Sequence, residues 1–545
     1  MVLARKKTLT PATELTGTVI RLSALPLCLT LYCASVCAQA VSSAAPSAGP
    51  VFAISGFSIT GDNPLSDSET TLTLAPFLRS DANIDTLQKA TAALEKALRD
   101  KGFGLHRVSL PPQEVGDKVA LVIVKFVIGK VNIEGANRYD SANILRSVPE
   151  LREGATPNFN RLAVQTTIAN ESQGKQIQVT MKESEEADKI DATVSVNESK
   201  PWNFSVSIAN NGSESSGKDR TTLSGSHSNL FNLDHQFVGA YTTSLQRASD
   251  VKQVGLSYRI PLYSLGGVIG ASYSRSDVVG NFGAFTSTGA GRTLGANYTF
   301  YLPPQGGKRT FFSIGLDDKL FNTALINNIA IPGQADRRSR PISLGYSVRS
   351  ESDAENLSYN AELAFNTGSG SGNDLASYQS EDPRISTVRW KLLRAGFNYA
   401  TNLPAKFLLA LRGQLQYSPD TLISGEQFGI GGSSSVRGTD ERPLSADKGL
   451  FASVEITSPE FLVGVRGLGF FDAGWISNNN PNGVSRPSSD RLRSLGLGLR
   501  YNVGNFALSA DYGRLLNSSA VPLSINSNAP QKGDDKLNLS LSVRF

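Results

Sequence analysis

From Pro201 onward, apolar and polar residues alternate with a period of two, and the rhythm continues to Phe545. Trp202, Phe204, Val206 and Ile208 interleave with Asn203, Ser205, Ser207 and Ala209. Val254, Leu256, Tyr258, Ile260 and Leu262 repeat the pattern, as do Leu294, Ala296, Tyr298, Phe300 and Leu302. Such alternation puts successive side chains on opposite faces of a strand. Similar runs occupy 342–348, 357–365, 407–417, 495–503, 506–512 and 537–545, and weaker runs between them bring the expectation to sixteen strands. Each has about ten residues, the length that crosses a bilayer at a tilt.

The connections alternate as well. Segments 261–267, 303–308, 350–355, 401–405, 458–462 and 502–505 are short, whereas 277–289, 320–340, 366–386, 418–447, 476–491 and 514–536 are mostly long and hydrophilic. Short turns on one side and long loops on the other form the pattern of outer-membrane barrels. An open sheet would leave unpaired edge groups in lipid, and closure removes them. The expected fold is a membrane all-β protein, a 16-stranded transmembrane antiparallel barrel over residues 200–545, whose solvent is lipid outside and water inside. The mean hydropathy of −0.17 fits, because half of each strand is polar.

Upstream the period changes. Residues 52–59 alternate into a turn at Gly61-Asp62-Asn63-Pro64, residues 65–78 have helical spacing, and 85–100 place Leu87, Ala90, Leu94 and Leu98 on one helical face, stopped by Gly102. Strands are expected at 105–110 and 118–127. The same order then recurs: a strand at 130–134, helices at 141–147 and 158–171, strands at 176–182 and 190–198. Two tandem α/β modules are therefore expected, 51–128 and 129–199, each strand–helix–helix–strand–strand.

The first forty residues read as an export signal. Arg5, Lys6, Lys7 and Arg21 precede an apolar core at 22–36, and Ala38-Gln39-Ala40 is a small-x-small cleavage pattern, followed by a small-residue linker at 41–50. Cys28, Cys33 and Cys37 all leave with the signal, so the mature chain has no disulfide, thiolate metal site or cysteine nucleophile. Four basic residues and Glu14 leave too, and the formal charge of +5 falls to +2, which gives no argument for nucleic acid.

Candidate chemistry is sparse. Gly306-Gly307-Lys308 is a turn rather than a phosphate loop, no Gly-x-Ser-x-Gly occurs, and His106, His227 and His235 fall in separate strands. His227 and His235, with Asp234 near a periplasmic turn, read as plain barrel positions. No enzyme, cofactor or metal is expected.

Three local sequences carry a resemblance: Gln427-Phe428-Gly429-Ile430-Gly431-Gly432-Ser433-Ser434-Ser435-Val436-Arg437-Gly438 in the longest loop, Phe470-Phe471-Asp472-Ala473-Gly474 at the end of the thirteenth strand, and Leu110-Pro111-Pro112-Gln113 with Lys130-Val131-Asn132-Ile133-Glu134-Gly135-Ala136. Together they resemble the transporters of two-partner secretion, the hemolysin and filamentous-hemagglutinin secretion/activation family (TpsB, of ShlB/FhaC/HecB type), in the superfamily of the barrel assembly factor BamA. The resemblance covers essentially the whole mature chain. It implies two periplasmic POTRA domains, with Pro111, Pro112 and Gln113 in a substrate-capture region, and an outer-membrane barrel that secretes, and in some relatives activates, an unfolded adhesin or hemolysin. It further implies a monomer surrounded by outer-membrane lipid and inserted by the barrel assembly machinery. Loop 418–447 is then expected to fold into the lumen, where Arg437 pairs with Asp472, and Val436, Gly438, Phe470 and Gly474 complete the lock. Thr439 departs from the aromatic that usually follows Val-Arg-Gly. Neighbouring alternatives are an outer-membrane assembly or surface-lipoprotein export factor of the same superfamily, or a passive porin; two modules rather than five favour secretion.

Overall fold

The computed structural model describes residues 51–545 apart from Val115, Asp117, Ser215, Ala324, Asn327, Asn328, Ile331 and Pro332. The expected signal and linker lie outside the described residues. The first module holds strands β1 (Gly56–Gly61), β2 (His106–Ser109) and β3 (Lys118–Lys125), with β3 central, parallel to β1 and antiparallel to β2. Helices α1 (Asp67–Leu74) and α2 (Ile84–Asp100) accompany them. Ser66 and Glu69 form a capping box at the start of α1, and Asn83 with Thr86 does the same for α2, satisfying amides that have no partner within the helix. The α2 stripe Leu87, Ala90, Leu94 and Leu98 packs with Val108, Val119, Leu121 and Ile123 in one core. That is the face its sequence spacing predicts.

The second module repeats the plan. Its β4 (Val127–Glu134), β5 (Lys175–Glu183) and β6 (Lys189–Glu198) form a sheet in the order β4-β6-β5, with α3 (Ser141–Ser147) and α4 (Phe159–Ala169). The repeat extends to one backbone detail. Gly61 ends the first strand of its module and Gly135 directly follows that of the other, at φ +89° and +81°, and a Cβ there would lie 2.2 Å and 2.3 Å from the carbonyl oxygens of Ile123 and Val196. Only glycine fits such a close approach.

The barrel runs from its first strand, Trp202–Ala209, to its sixteenth, Asp535–Arg544, with every neighbour antiparallel. The eighth strand is interrupted at Arg340, between Arg337–Ser339 and Pro341–Glu351. Closure joins the sixteenth strand to the first from Ser540–Ala209 to Arg544–Ser205. Asn210 lengthens this short seam: its side-chain amide donates to the Leu537 carbonyl and accepts from the Leu539 amide, both at 2.7 Å. Leu537, Leu539 and Leu541 are exposed on the outer face, while Asn538 between the first two is buried. Trp202, Phe204, Phe506 and Phe545 are exposed at the periplasmic rim, where an aromatic girdle belongs. Among the described residues no helix is long and apolar enough to cross a membrane, and crossing falls to the strands.

Three features differ from expectation. Strand thirteen continues through Ser477, so Phe470–Gly474 lies within the strand rather than at its end. The long loops are folded as well as hydrophilic. Segment 366–390 contains a short helix, Leu375–Gln379, and Tyr378, Ile385 and Trp390 bury with Phe321, Leu422 and Ile423 in a core of their own. Finally, segment 277–290 forms a hairpin that turns inward, its Phe285 ring filling the space where a Cβ on Gly255 would stand 2.1 Å away. The periodicity of the flanking strands gives no sign of it.

Candidate functional site: a loop moored in the barrel lumen

Loop 418–447 leaves the eleventh strand (Leu408–Tyr417), returns on the twelfth (Lys448–Thr457), and folds into the lumen between them. Its limbs pair as a two-stranded ribbon, Phe428–Ile430 with Leu444–Ala446. Gly431, Gly432 and Gly438 turn the tip at positive φ, near +100° in each case. This left-handed region costs a residue with a Cβ about 1 kcal/mol or more.

Arg437 ends at the tip and is 3% exposed. Its Nε and Nη2 donate to Asp472 at 2.8 and 2.9 Å, and its own amide donates to the same carboxylate at 3.2 Å. Nη1 donates to Glu455 at 3.1 Å, and Asp511 lies 3.8 Å away. Ser453 donates to Asp472 at 2.6 Å, filling its remaining acceptor capacity. The guanidinium carbon sits 3.3 Å from the Phe470 ring centroid. Asp472 and Phe470 are two residues apart on one strand and therefore face the same side, whereas Phe471 faces lipid. A buried charge is costly unless paired and hydrogen-bonded. Here each nitrogen of the fork meets an acceptor, and its face meets an aromatic ring.

The other expected residues converge on the same point. A Cβ on Gly474 would meet Val436 at 3.0 Å, so the glycine makes the seat for that valine. Gly438 approaches Gly513 on strand fifteen (Phe506–Leu515), where a Cβ would meet the Gly513 carbonyl oxygen at 3.0 Å. The reverse also holds, since a Cβ on Gly513 would lie 2.8 Å from the Arg437 carbonyl carbon. Thr439 follows Gly438 at the tip. It is buried, its hydroxyl accepts from the Gly432 amide and donates to the Asp440 carbonyl, both at 3.0 Å, and it closes the tip by hydrogen bonds in place of ring packing.

Pro111, Pro112 and Gln113 lie far from this lock along the chain, between β2 and β3. Gln113 accepts from the Ala120 amide at 2.7 Å and donates to its carbonyl at 2.8 Å. A side-chain amide thus continues the ladder on β3 past the point where β2 stops.

Sequence reasoning missed a second cluster, at the joint between the second module and the barrel. Asp234 belongs to the first periplasmic turn, in which Phe231, Asn232 and Asp234 all adopt positive φ. It pairs at 2.7 Å with Lys175 of β5; the two side chains are 2% and 0% exposed. Lys175 also donates to Asn143 of α3 at 2.6 Å, and Tyr263 of the second turn donates to Asp234 at 2.7 Å. Burial pushes the Lys175 ammonium below its ordinary value, and Asp234 opposes that shift. A second tie runs from Glu171 to Arg259 at 3.0 Å, with Tyr301 donating to the same carboxylate. The turn tripeptide Asn232-Leu233-Asp234 carries no motif, and only the tertiary arrangement reveals its partner.

Fold and site together define a class: an outer-membrane barrel, fed by periplasmic POTRA modules, whose lumen is occupied by its own loop. The chain belongs to the haemolysin secretion/activation family ShlB/FhaC/HecB, whose family model matches residues 188–501, and the ShlB-type POTRA model matches residues 52–125. It is 23% identical over 453 residues to the outer membrane transporter CdiB of Escherichia coli, covering 80% of this chain and 75% of that protein. To the heme/hemopexin transporter HuxB of Haemophilus influenzae it is 20% identical over 468 residues, covering 82% and 80%. Among solved structures, CdiB from Escherichia coli superimposes with a TM-score of 0.72 at 18% identity, covering 94% of this chain and 93% of that one. CdiB from Acinetobacter baumannii gives 0.71 at 20% identity, covering 91% and 90%. The protein is therefore an outer-membrane transporter of two-partner secretion, with its POTRA domains in the periplasm.

Proposed function

We propose that the protein exports an unfolded adhesin- or hemolysin-type exoprotein, which the POTRA pair captures and which passes the barrel once loop 418–447 leaves its seat. The observation that carries this reading is the buried, bidentate Arg437–Asp472 pair, which holds a loop segment rather than a wall strand across the pore. Capture is supported by the shape of the second module. The edge strand β5 and helix α4 line an apolar groove of about 710 Å³ with Phe159, Leu162, Ile177, Val179 and Met181. An extended segment added to that edge gains main-chain hydrogen bonds while its side chains enter the groove. Gln113, with Pro111 and Pro112 beside it, serves in this reading to shape the first module's sheet.

In the same reading, the two modules act as the two capture units and the barrel as a monomeric conduit inserted by the assembly machinery. Export proceeds without a nucleotide engine, favoured by folding of the cargo outside. Arg437→Ala is expected to leave the barrel assembled but cut secretion of a co-expressed partner exoprotein, assayed in the medium. Undiminished secretion by that variant sinks the role given to the pair.

A further inference from the structure

The loop carries a second buried charge that the lock just described does not use. Glu426, in its descending limb, is 1% exposed. Its carboxylate accepts from Lys319 at 3.3 Å, from Arg394 at 3.1 Å and from the Ser339 hydroxyl at 2.7 Å. Its own carbonyl accepts from Gln416 at 2.9 Å. These partners belong to strands seven (Lys308–Phe321), eight, ten (Lys391–Asn402) and eleven. Arg437, by contrast, is held by strands twelve, thirteen (Val465–Ser477) and fifteen. Strands seven and fifteen are eight places apart in a ring of sixteen, on opposite sides of the barrel.

The two anchors also have opposite polarity. An anion at the stem meets Lys319 and Arg394, and a cation at the tip meets Glu455 and Asp472, with Asp511 at 3.8 Å and itself paired to Arg500 at 2.6 Å. The nearby acids Asp317 and Glu362 lean on the same lysine and arginine, at 3.8 and 3.4 Å, so these two cations are themselves balanced. Between the anchors Arg442 laces the limbs together, donating to the carbonyls of Ser424 at 2.8 Å and Gln427 at 2.7 Å, and it reaches Thr288 of the inward hairpin at 2.9 Å. Cavities of about 600 Å³, lined by Arg437, Glu455 and Arg412, and about 910 Å³, lined by Glu426, Arg442 and Lys319, flank the loop. In some proteins a buried polar or ionic group fixes one register among several.

We propose that Glu426 is a positioning residue, a second mooring for the loop, and that the resting pore is sealed only while both moorings hold. The inference rests on the plugged-conduit reading, but its test needs no exoprotein. Ion conductance of the purified full-length protein in planar bilayers, and vancomycin sensitivity of cells producing it, both report the seal. Glu426→Gln is expected to raise the leak severalfold, Glu426→Asp to restore it near the parent level, and Glu426→Gln with Arg437→Ala to leak more than either alone. Heat-modifiable migration confirms that each barrel is assembled. Should Glu426→Gln fail to assemble, Lys319→Met with Arg394→Gln removes the mooring from the wall side and is expected to leak likewise. A parental leak in an assembled Glu426→Gln or wall variant, or a double variant no leakier than Arg437→Ala, overturns the proposal. A secretion defect without any leak would speak against the mooring and leave the transport reading intact.

Discussion

Arg437 has two demands that lysine cannot meet together: a planar fork for Asp472 and a flat cation for the Phe470 ring. Arg437→Lys is therefore expected to behave nearly as Arg437→Ala in a secretion assay, despite keeping the charge. Truncation of one member of a buried pair costs about 3–5 kcal/mol, chiefly through the partner left uncompensated. Asp472→Ala should accordingly be as damaging as the arginine variant, and the double variant little worse than either; additive losses would argue that the pair does not act as a unit. Gly513→Ala tests the close approach from the wall side. The added methyl meets the Arg437 backbone at 2.8 Å, so the tip must shift, and the variant is expected to leak while its strands still form. Arg437 and Asp472 stand out as candidates through a family resemblance carried by the contiguous motifs Val-Arg-Gly and Phe-x-Asp-x-Gly, and the structure brings the two together. Glu426, Ser453 and Gly513 do not, since each meets its partner only across the lumen and has no local pattern.

At the level of elements, helices and strands followed their periodicity and caps closely, because each depends on neighbours three, four or two residues away. The inward hairpin at 280–287 and the helix at 375–379 escaped notice. Both lie in loops whose conformation is set by what they pack against, Gly255 in one case and Phe321 with Leu422 in the other. The joint between β5 and the first periplasmic turn yields its own prediction. Asp234→Ala strands the buried Lys175 ammonium, and faster hydrogen exchange is expected in β5 and in the turn. Lys175→Met with Asp234→Leu, which removes both charges, should disturb the joint less. In the first module, burial holds the His106 imidazole below its ordinary value of 6.5. The folded module then resists a proton that the unfolded chain accepts, so its stability is full above about pH 6.5 and declines as the pH falls below it. Protection of the Val108 amide in the intact protein, taken relative to its intrinsic exchange rate, should fall between neutral and mildly acid pH, and His106→Leu should flatten that dependence.

On the scale of the whole molecule, barrel closure depends on a short first-to-last pairing, extended by backbone bonds at its two ends and by the Asn210 side chain. Asn210→Ala removes two hydrogen bonds from that seam and is expected to lower the temperature at which heat-modifiable migration is lost, with little effect on the POTRA modules. By itself the sequence determined the strand count, the alternation of lipid- and lumen-facing positions and the two repeated modules. These are local periodicities, and in the barrel a solvent of lipid on one side and water on the other imposes the alternation strand by strand. Only the tertiary structure decided how the loop crosses the lumen between anchors of opposite charge, how Thr439 seats the tip without a ring, and how Lys175 reaches Asp234. Each of these joins residues far apart in the chain, and the burial that makes such a charge demand its partner exists only once the barrel has closed around it.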